Sequence, residues 1–433
     1  MKMTKKIVAA ALALGAFSTA HAQALDPVEK RMAASIQERS GAAIDFLEKT
    51  VRVNSGTMNP EGVREVGRLF AKKFEALGFT TRWVEMPPGM QRAGHFVAER
   101  KGGRGKRLLL IGHLDTVFEK TSAVPPWDRQ GDRVRGQGVS DMKGGDVIVL
   151  EALHALHREG ALDDTTITVY FTGDEERMGQ PASIARQDMI EAARRSDIAL
   201  AFEGTVVHNG RVTATVGRRA SSGWRLLVTA KPAHSGGVFT PESGYGAIYE
   251  GARILNAFRE QVIEPDLTFN PGVAVGGTRI GYDEAAATAT AFGKTNVIAE
   301  HMEIVGDLRY LDYAQRDRVH QRMREIVAQS LPHAKAEITF RDGYPPMAPT
   351  AGNLKLLSVY SQASADAGLG TIEALPPGER GAGDVQWVAP YLDSLDGIGA
   401  TGRGSHTDDE TLEIASIERG AIRAAVTIYR LTR

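Results

Sequence analysis

Acidic residues and histidines that could bind metal ions occur at the ends of apolar runs in this chain of 433 residues. The motifs that contain them are Gly112-His113-Leu114-Asp115-Thr116, Ser140-Asp141-Met142-Lys143-Gly144-Gly145, Thr172-Gly173-Asp174-Glu175-Glu176, Phe202-Glu203-Gly204 and Gly404-Ser405-His406. They offer two imidazoles and three carboxylates as ligands, with one more glutamate beside them. Such a set is typical of a hydrolase that uses two metal ions.

The absence of cysteine limits the choice of metal. Because no thiolate is available, any metal must be held by histidine, aspartate and glutamate. These ligands suit zinc, cobalt or manganese better than soft metals. The chain also has no disulfides, which a domain of this size does not need.

Two of the motifs also have ordinary structural explanations. His113 and Asp115 are two residues apart, so both leave one face of a strand, and Asp115 could fix the imidazole nitrogen that meets a metal. A histidine at a strand end with a capping aspartate is the alternative. Asp141 lies between a glycine-rich loop and a helix start, where a carboxylate is commonly an N-terminal cap.

The three consecutive acids at 174–176 are harder to explain structurally. Neighbouring carboxylates repel one another unless they are solvated or paired with cations. An exposed charged turn is the alternative to a cation site. These acids follow an apolar strand directly, which favours a position in a ligand-binding crevice.

The elements that position these motifs alternate between helix and strand. Apolar residues recur at helical spacing over residues 63–77 and again over 143–157. Short apolar or β-branched runs predict buried strands at 107–111, 166–171 and 198–202. This order predicts a doubly wound α/β sheet whose ligands gather outside the strand ends.

A change of pattern after Val216 predicts a second, inserted domain. Residues 223–230 alternate like a strand, residues 245–258 have helical spacing, and 295–310 contain further strand sequence. The predicted divisions are a signal peptide at 1–22, a first catalytic segment at 23–215, an inserted domain at 216–340 and a second catalytic segment at 341–433.

The N-terminal sequence and the net charge predict where the protein is located and exclude some classes of binding partner. Residues 1–22 combine lysines, an eleven-residue apolar stretch and the small-residue pattern Ala20-His21-Ala22, which predicts a cleavable signal and a periplasmic or secreted protein. The apolar stretch is too short to be a membrane anchor. A formal net charge of −1 argues against nucleic acid or an anionic membrane as the main partner.

As a set and in this order, the motifs resemble those of the co-catalytic dizinc peptidases, a family that includes glutamate carboxypeptidase, acetylornithine deacetylase, succinyl-diaminopimelate desuccinylase and carnosinase-type dipeptidases. The resemblance extends from about residue 51 to the C-terminus and is strongest to glutamate carboxypeptidase. It implies a doubly wound mixed-sheet catalytic domain carrying a smaller α+β dimerisation domain, or lid, and a homodimer.

The resemblance also assigns roles to the motif residues. It implies two Zn²⁺ ions, with Co²⁺ or Mn²⁺ as substitutes, and a hydroxide between them that attacks an amide carbonyl. One ion would be held by His113, Asp141 and Glu203, and the other by Asp141, Glu176 and His406. Glu175 would be the general base, with Asp115 as the companion of His113.

Further residues match positions that contact substrate in the family. His234 matches a histidine that reaches the partner subunit's active site and polarises the scissile carbonyl. The other matches are Asn296 and Arg309 for the α-carboxylate, Arg211 and Arg341 for a side-chain carboxylate, and Gly381 and Gly383 in a substrate loop. Two positions depart from the family pattern: Ala299 replaces the usual proline and Ala382 replaces a loop glycine.

The sequence therefore predicts an exported zinc exopeptidase or amidase. Its expected substrate is a small molecule, an N-acyl amino acid or short peptide with a free C-terminal carboxylate, and glutamate is the expected product. One alternative keeps the chemistry on another N-acyl amino acid or a dipeptide. The other is a periplasmic solute receptor without catalysis.

Overall fold

The computed structural model describes residues 24–433. The predicted signal peptide, residues 1–22, lies outside the described residues. Among residues 24–433, no helix has both the length and the apolar composition needed to cross a membrane.

Three of the helices below, at 60–76, 144–158 and 247–261, begin and end within about three residues of the segments with helical apolar spacing. They are α1 (Pro27–Val51), α2 (Pro60–Ala76), α3 (Gly144–Arg158), α4 (Ala182–Ala185), α5 (Gln187–Arg194), α6 (Ala247–Gln261), α7 (Tyr313–Val327), α8 (Ala351–Asp366) and α9 (Ala415–Thr432). In α2 the apolar residues of the predicted face are buried, and the Asn59 side chain caps the first turn by accepting from Gly62 N. Gly78, at φ +81°, follows its C-terminus.

Within residues 24–433 the strands form two main sheets and three smaller ones of two, three and four strands. The first are β1 (Thr80–Val84), β2 (His95–Arg100), β3 (Arg104–His113), β4 (Asp128–Gln130), β5 (Arg133–Arg135), β6 (Thr165–Thr172), β7 (Ile198–Ala201), β8 (Val207–His208) and β9 (Arg211–Ala214). The next are β10 (Ser221–Ala230), β11 (Thr268–Gly277), β12 (Arg279–Asp283), β13 (Thr288–Phe292), β14 (His301–Arg309) and β15 (Ala334–Tyr344). The last are β16 (Glu373–Ala374), β17 (Asp393–Leu395), β18 (Gly402–Arg403) and β19 (Thr411–Glu413).

The larger sheet is mixed and covered on both faces. Its order is β1-β2-β6-β3-β7-β17; β6, β3, β7 and β17 are parallel, whereas β2 is antiparallel to β1 and β6. Along β3, Leu108 and Leu110 enter one apolar cluster and Leu109 and Ile111 enter another. Because neighbouring side chains on a strand point to opposite faces, the sheet is buried from both sides.

The smaller sheet is antiparallel, in the order β11-β14-β10-β15. Alternate residues of β10 are buried against α6 and α7 in a separate apolar core. Strand β15 continues to Tyr344 and pairs Arg341 with Gly223 of β10. Arg341 is therefore part of the inserted sheet, and the chain leaves that sheet later than the predicted boundary at 340.

The predicted fold class is confirmed. The chain is α/β, with a doubly wound mixed sheet interrupted by a smaller α+β unit. Since β3, β6 and β7 run parallel, their carboxyl ends lie at one edge of the larger sheet.

Candidate active site

Three neighbouring strand ends bring the acidic motifs together. β3 ends at His113, which pairs in register with Thr172 at the end of β6. Phe202, directly after β7, donates its amide to Ile111 O of β3 at 3.0 Å. The acids at 174–176 and Glu203 follow these ends, so they emerge at the same edge as His113.

Two imidazoles and three carboxylates converge at this edge. His113 Nε2 lies 3.2 Å from Asp141 Oδ1 and 3.5 Å from Glu203 Oε1. His406 Nε2 lies 3.1 Å from Asp141 Oδ2 and 3.0 Å from Glu176 Oε2. Asp141 thus contacts one histidine with each of its two oxygens, which is the geometry that a bridging carboxylate requires.

The charges and the unpaired oxygen of this cluster favour a cation. Hydrogen bonds that the ring donates to Asp141 and Glu176 raise the pKa of His406 to about 11. Burial raises the pKa of Glu203 to about 7. The buried Glu176 Oε1 has no hydrogen-bond partner among the described atoms. Divalent metal ions would displace these protons and give that oxygen a partner, so the donor set fits a metal pair held by nitrogen and oxygen.

Several groupings of these donors lie close enough to hold one ion. His113, Asp141 and Glu176 form one triad whose ligand atoms lie within 4.8 Å of one another, and His113, Glu175 and Glu203 form another. The histidine-to-carboxylate distances instead divide the donors around Asp141, with His113 and Glu203 on one side. Glu176 and His406 lie on the other side. This division matches the grouping expected from the sequence.

The Asp115 carboxylate lies beside the His113 imidazole, but the hydrogen-bond partner of that ring is the Asp115 backbone. β3 ends at His113, so Asp115 lies in the following loop, and its backbone carbonyl, at 3.0 Å, is the group nearest His113 Nδ1. The carboxylate is 3.6 Å from that nitrogen. It accepts hydrogen bonds from Thr57 Oγ1 and from the amides of Glu175 and Glu176, at 2.6, 3.0 and 3.1 Å. Asp115 therefore orients the backbone that carries the proposed base and one proposed ligand.

Asp174, the first acid of its motif, belongs to a buried ion-pair network. Its carboxylate lies 2.5 Å from Arg186 Nη1, and Arg186 Nε also donates to Asp384 at 2.8 Å. Thr172 donates to the other oxygen of Asp384 at 2.5 Å. Arg186 thus balances the charge of Asp174 and leaves Glu175 and Glu176 as the acids that face the cluster.

Glu175 lines the cleft beside the cluster. Burial raises the pKa of its carboxyl well above the ordinary value, although His113 opposes the shift. The Tyr344 hydroxyl contacts its backbone carbonyl at 3.3 Å. A half-buried carboxyl with a raised pKa, next to a metal-binding cluster, is suited to accept and return a proton.

The inserted-domain residues are not among those that line this cleft. His234 is exposed and its ring accepts from Gly236 N at 3.1 Å, while Asn296 O accepts from Ser235 N at 3.0 Å. Arg309 Nε pairs with Asp307 at 2.9 Å, and Arg341 is an exposed residue paired with Glu284. Within one chain, therefore, these four predicted contacts lie away from the metal-binding cluster.

Of the three remaining predicted contacts, one lines the cleft and one packs against a residue that lines it. Gly381 lines the cleft, and Gly383 is buried next to Arg218. Arg211 is instead 66% exposed and forms an ion pair with Glu373. The sequence analysis placed Arg211 near the substrate because Arg211 closely follows Glu203. In the structure Arg211 begins β9, and its side chain lies at the surface beside Glu373.

The cleft next to the cluster has a volume of about 830 Å³. Its wall includes Asp141, Glu175, Glu203 and His406. Four arginines also line it: Arg133, Arg218, Arg380 and Arg403. Two of them, Arg218 and Arg380, lie on the side of Glu203 and were not identified from the sequence.

Comparison with known proteins identifies the family of the chain. A family model described as peptidase family M20/M25/M40 matches residues 109–429. Carboxypeptidase G2 from Pseudomonas sp. (strain RS-16) is 31% identical over 397 residues, which cover 90% of this chain and 89% of that protein. The chain belongs to peptidase family M20/M25/M40. This confirms both the predicted resemblance and the class of metallocarboxypeptidase or amidohydrolase.

More distant relatives share the fold. Succinyl-diaminopimelate desuccinylase from Delftia acidovorans is 24% identical, over 87% of this chain and 94% of that protein. Aminopeptidase PepT from Bacillus cereus has a TM-score of 0.70 at 18% identity, with 92% of this chain and 99% of that chain covered. The Bacillus subtilis YXEP protein, a dinuclear metal-binding peptidase of family M20, has a TM-score of 0.62 at 14% identity, with 91% and 99% covered.

One carboxylate of this M20 chain that the sequence analysis missed holds the Asp141 loop. Glu410 is fully buried, and one of its oxygens accepts from Ser140 N, Ser140 Oγ and Asp141 N at 2.8, 3.0 and 3.0 Å. The other oxygen lies 3.3 Å from Gly138 N. Glu410 therefore fixes the backbone from which the Asp141 carboxylate projects.

We expect Glu410→Ala to weaken zinc binding by about 10- to 100-fold, the usual effect of removing a group that orients a metal ligand. The reason is that three backbone amides around Asp141 would lose their common acceptor. Competition with a chromophoric chelator measures the affinity. Asp409→Ala is the matched control, since that neighbouring side chain is 93% exposed. Equal affinities in the two variants would contradict the role of Glu410.

Proposed function

We propose that this chain is a two-zinc exopeptidase that hydrolyses the amide bond of N-acyl amino acids or short peptides with a free C-terminal carboxylate, and that glutamate is the residue released. The observation that carries the proposal is the arrangement of His113, Glu203, Glu176 and His406 around Asp141, at 3.0 to 3.5 Å between histidine and carboxylate atoms. The 31% identity to carboxypeptidase G2 supports it.

The same five residues would hold the metal pair. Zinc fits because the donors are imidazole nitrogens and carboxylate oxygens, and cobalt or manganese could substitute. When bound, the pair supplies Lewis acidity to the scissile carbonyl and makes water easier to deprotonate. Glu175 accepts the proton from the attacking water and returns it to the leaving nitrogen.

The inserted domain would complete the site in a homodimer. His234 is exposed and does not line the cleft of its own chain, which is what a residue acting on a partner subunit requires. It would steady the developing oxyanion there. Asn296 and Arg309 would bind the α-carboxylate, since the Arg309 guanidinium can pair with two carboxylate oxygens. Arg211 and Arg341 receive no role here because both form exposed ion pairs outside the cleft.

We also propose export of the chain, with residues 1–22 removed as a signal peptide. The lysine-rich start, the apolar stretch and the Ala20-His21-Ala22 pattern support this location. Mass spectrometry of protein recovered from the periplasm or the medium tests it, since the N-terminus should lie shortly after Ala22.

One screen tests the substrate class. Metal-stripped protein and protein restored with zinc or cobalt would be assayed for amino-acid release from N-acyl glutamate, N-acyl aspartate, N-acyl aromatic and dipeptide substrates. We expect metal-dependent turnover with N-acyl glutamate as the best substrate. Better turnover of a dipeptide or of an N-acyl aromatic amino acid would favour the alternative substrates, and no turnover with any metal would contradict the proposal.

An exposed apolar patch on the inserted domain supports the dimer. Phe239, Ile248 and Tyr249 are 56%, 47% and 54% exposed, and the rings of Phe239 and Tyr249 are 5.4 Å apart. Ile248 and Tyr249 lie in the first turn of α6. Clustered exposed apolar side chains of this kind are typical of a protein interface.

We expect Tyr249→Glu to convert the dimer into a monomer, because a carboxylate in a buried apolar interface is costly to desolvate. Light scattering after size-exclusion chromatography measures the mass. Ile263→Glu is the control, since Ile263 is 71% exposed on the same domain but lies outside the patch. A parent protein that is already monomeric would rule out both the dimer and a role for His234 on a partner subunit.

A further inference from the structure

Two arginines meet in the cleft wall on the side of Glu203. Arg218 is 2% exposed, and its Nη2 lies 2.6 Å from Asp396 Oδ2. The Arg380 side chain is 12% exposed, and its Nη1 donates to Gly204 O at 2.6 Å. Both residues line the cleft next to the metal-binding cluster.

The loop that contains Arg380 is built around the Arg218 guanidinium. Arg218 Nη1 donates to Gly381 O at 3.2 Å. A Cβ atom at Gly383 would lie 2.1 Å from the same nitrogen, so a larger residue would displace the guanidinium from this position. A Cβ atom at Gly381, by contrast, would meet no other described atom within 4 Å. The loop therefore holds Arg218 from behind and has open space at Gly381.

The two arginines in this wall differ in how closely a carboxylate balances their charge. Asp396 balances Arg218. In the described part of the chain, the ion pair of Arg380 is with Glu203 alone, at the longer distance of 3.6 Å. Glu203 also contacts His113 at 3.5 Å and is a proposed metal ligand. A metal ion bound to Glu203 would neutralise the carboxylate that faces Arg380. The nearly buried Arg380 guanidinium would then lack a full counter-charge, and such a buried charge is energetically costly unless an anion binds beside it.

We propose that Arg380, positioned beside Arg218, binds a second carboxylate of the substrate, in addition to the C-terminal one. The inference rests on the proposed function and specifies its substrate class as N-acyl amino acids with two or more carboxylates. A planar guanidinium can pair with both oxygens of a carboxylate. That carboxylate can come from the side chain of the released amino acid or from the acyl group.

The test compares kcat/KM for three substrates of the zinc-loaded enzyme and of Arg380→Met. N-acetylglutamate carries the extra carboxylate on the amino acid, N-succinylglutamine carries it on the acyl group, and N-acetylglutamine lacks it. We expect the preference for one dicarboxylate over N-acetylglutamine to fall by about 10- to 100-fold, the range for a lost hydrogen bond to a charged group. The substrate that loses its advantage shows which source supplies the carboxylate.

A role confined to positioning Glu203 would give a different result. In that case Arg380→Met would lower kcat/KM equally for all three substrates, and the zinc content measured by mass spectrometry would fall. This outcome would overturn the proposal. Arg211→Met is the comparison variant. If that variant, but not Arg380→Met, lost the preference for a dicarboxylate substrate, the carboxylate would bind at Arg211 and the proposal would be wrong.

Binding measurements show whether this inference is wrong independently of whether the proposed function is wrong. Absence of hydrolysis by the parent would refute the function, but calorimetry with glutarate and butyrate on zinc-loaded protein would still test the anion site. We expect glutarate to bind more tightly than butyrate, and Arg380→Met to remove most of that difference. An unchanged difference would overturn the inference even for an inactive protein.

Discussion

Replacing Glu175 by alanine should lower kcat for amide hydrolysis at least about 100-fold, because general acid–base catalysis commonly contributes that much or more. The zinc content should stay that of the parent, since His113, Asp141, Glu203, Glu176 and His406 are retained. Initial rates at saturating N-acyl glutamate measure kcat, and mass spectrometry measures zinc in the same sample. Loss of activity with retained metal would distinguish a proton-transfer role from a structural one.

The matched control is Glu379→Ala, which removes an exposed carboxylate from the lining of the same cleft. It should change kcat by less than about threefold, because an exposed charge near a site is screened by solvent. Activity of Glu175→Ala within tenfold of the parent would show that another group transfers the proton. The proposed mechanism would then be wrong even with both metals bound.

The convergence of the metal-binding cluster could be predicted because it depends on local sequence patterns. The strand runs before His113, Glu175 and Glu203 are short and apolar, and parallel strands in a doubly wound sheet end at one edge. Their side chains therefore meet once the strand order is given.

Contacts between distant loops could not be predicted in this way. Glu410 is four residues beyond His406 in sequence but holds the Ser140 loop, 270 residues away. Arg380 reaches Gly204 across 176 residues. Asp115 differs for a local reason. The prediction assumed that His113 and Asp115 share one face of a strand, but β3 already ends at His113. Side chains beyond a strand end are oriented by tertiary hydrogen bonds, which neither periodicity nor spacing encodes.

The network around Arg186 carries the second large expected effect. Arg186 is fully buried between Asp174 and Asp384, at 2.5 and 2.8 Å. Arg186→Met would leave two buried carboxylates without their cation, and breaking a buried pair commonly costs about 3 to 5 kcal/mol. We therefore expect the free energy of unfolding to fall by about that amount, measured by urea denaturation followed by circular dichroism.

Arg31→Met is the control, because Arg31 forms an ion pair with Glu159 at 2.7 Å but its side chain is 58% exposed. An exposed pair should contribute less than about 1 kcal/mol. The pH dependence provides an independent check. Burial alone would raise the pKa of Asp174, but Arg186, His95 and the Gly179 amide together lower it below its ordinary value. The stabilisation is therefore present above pH 3.8 and is lost as the pH falls through the lower folded pKa. Equal stability losses in Arg186→Met and Arg31→Met would mean that Asp174 and Asp384 are held by their neutral hydrogen-bond partners, and that Glu175 is positioned without this ion pair.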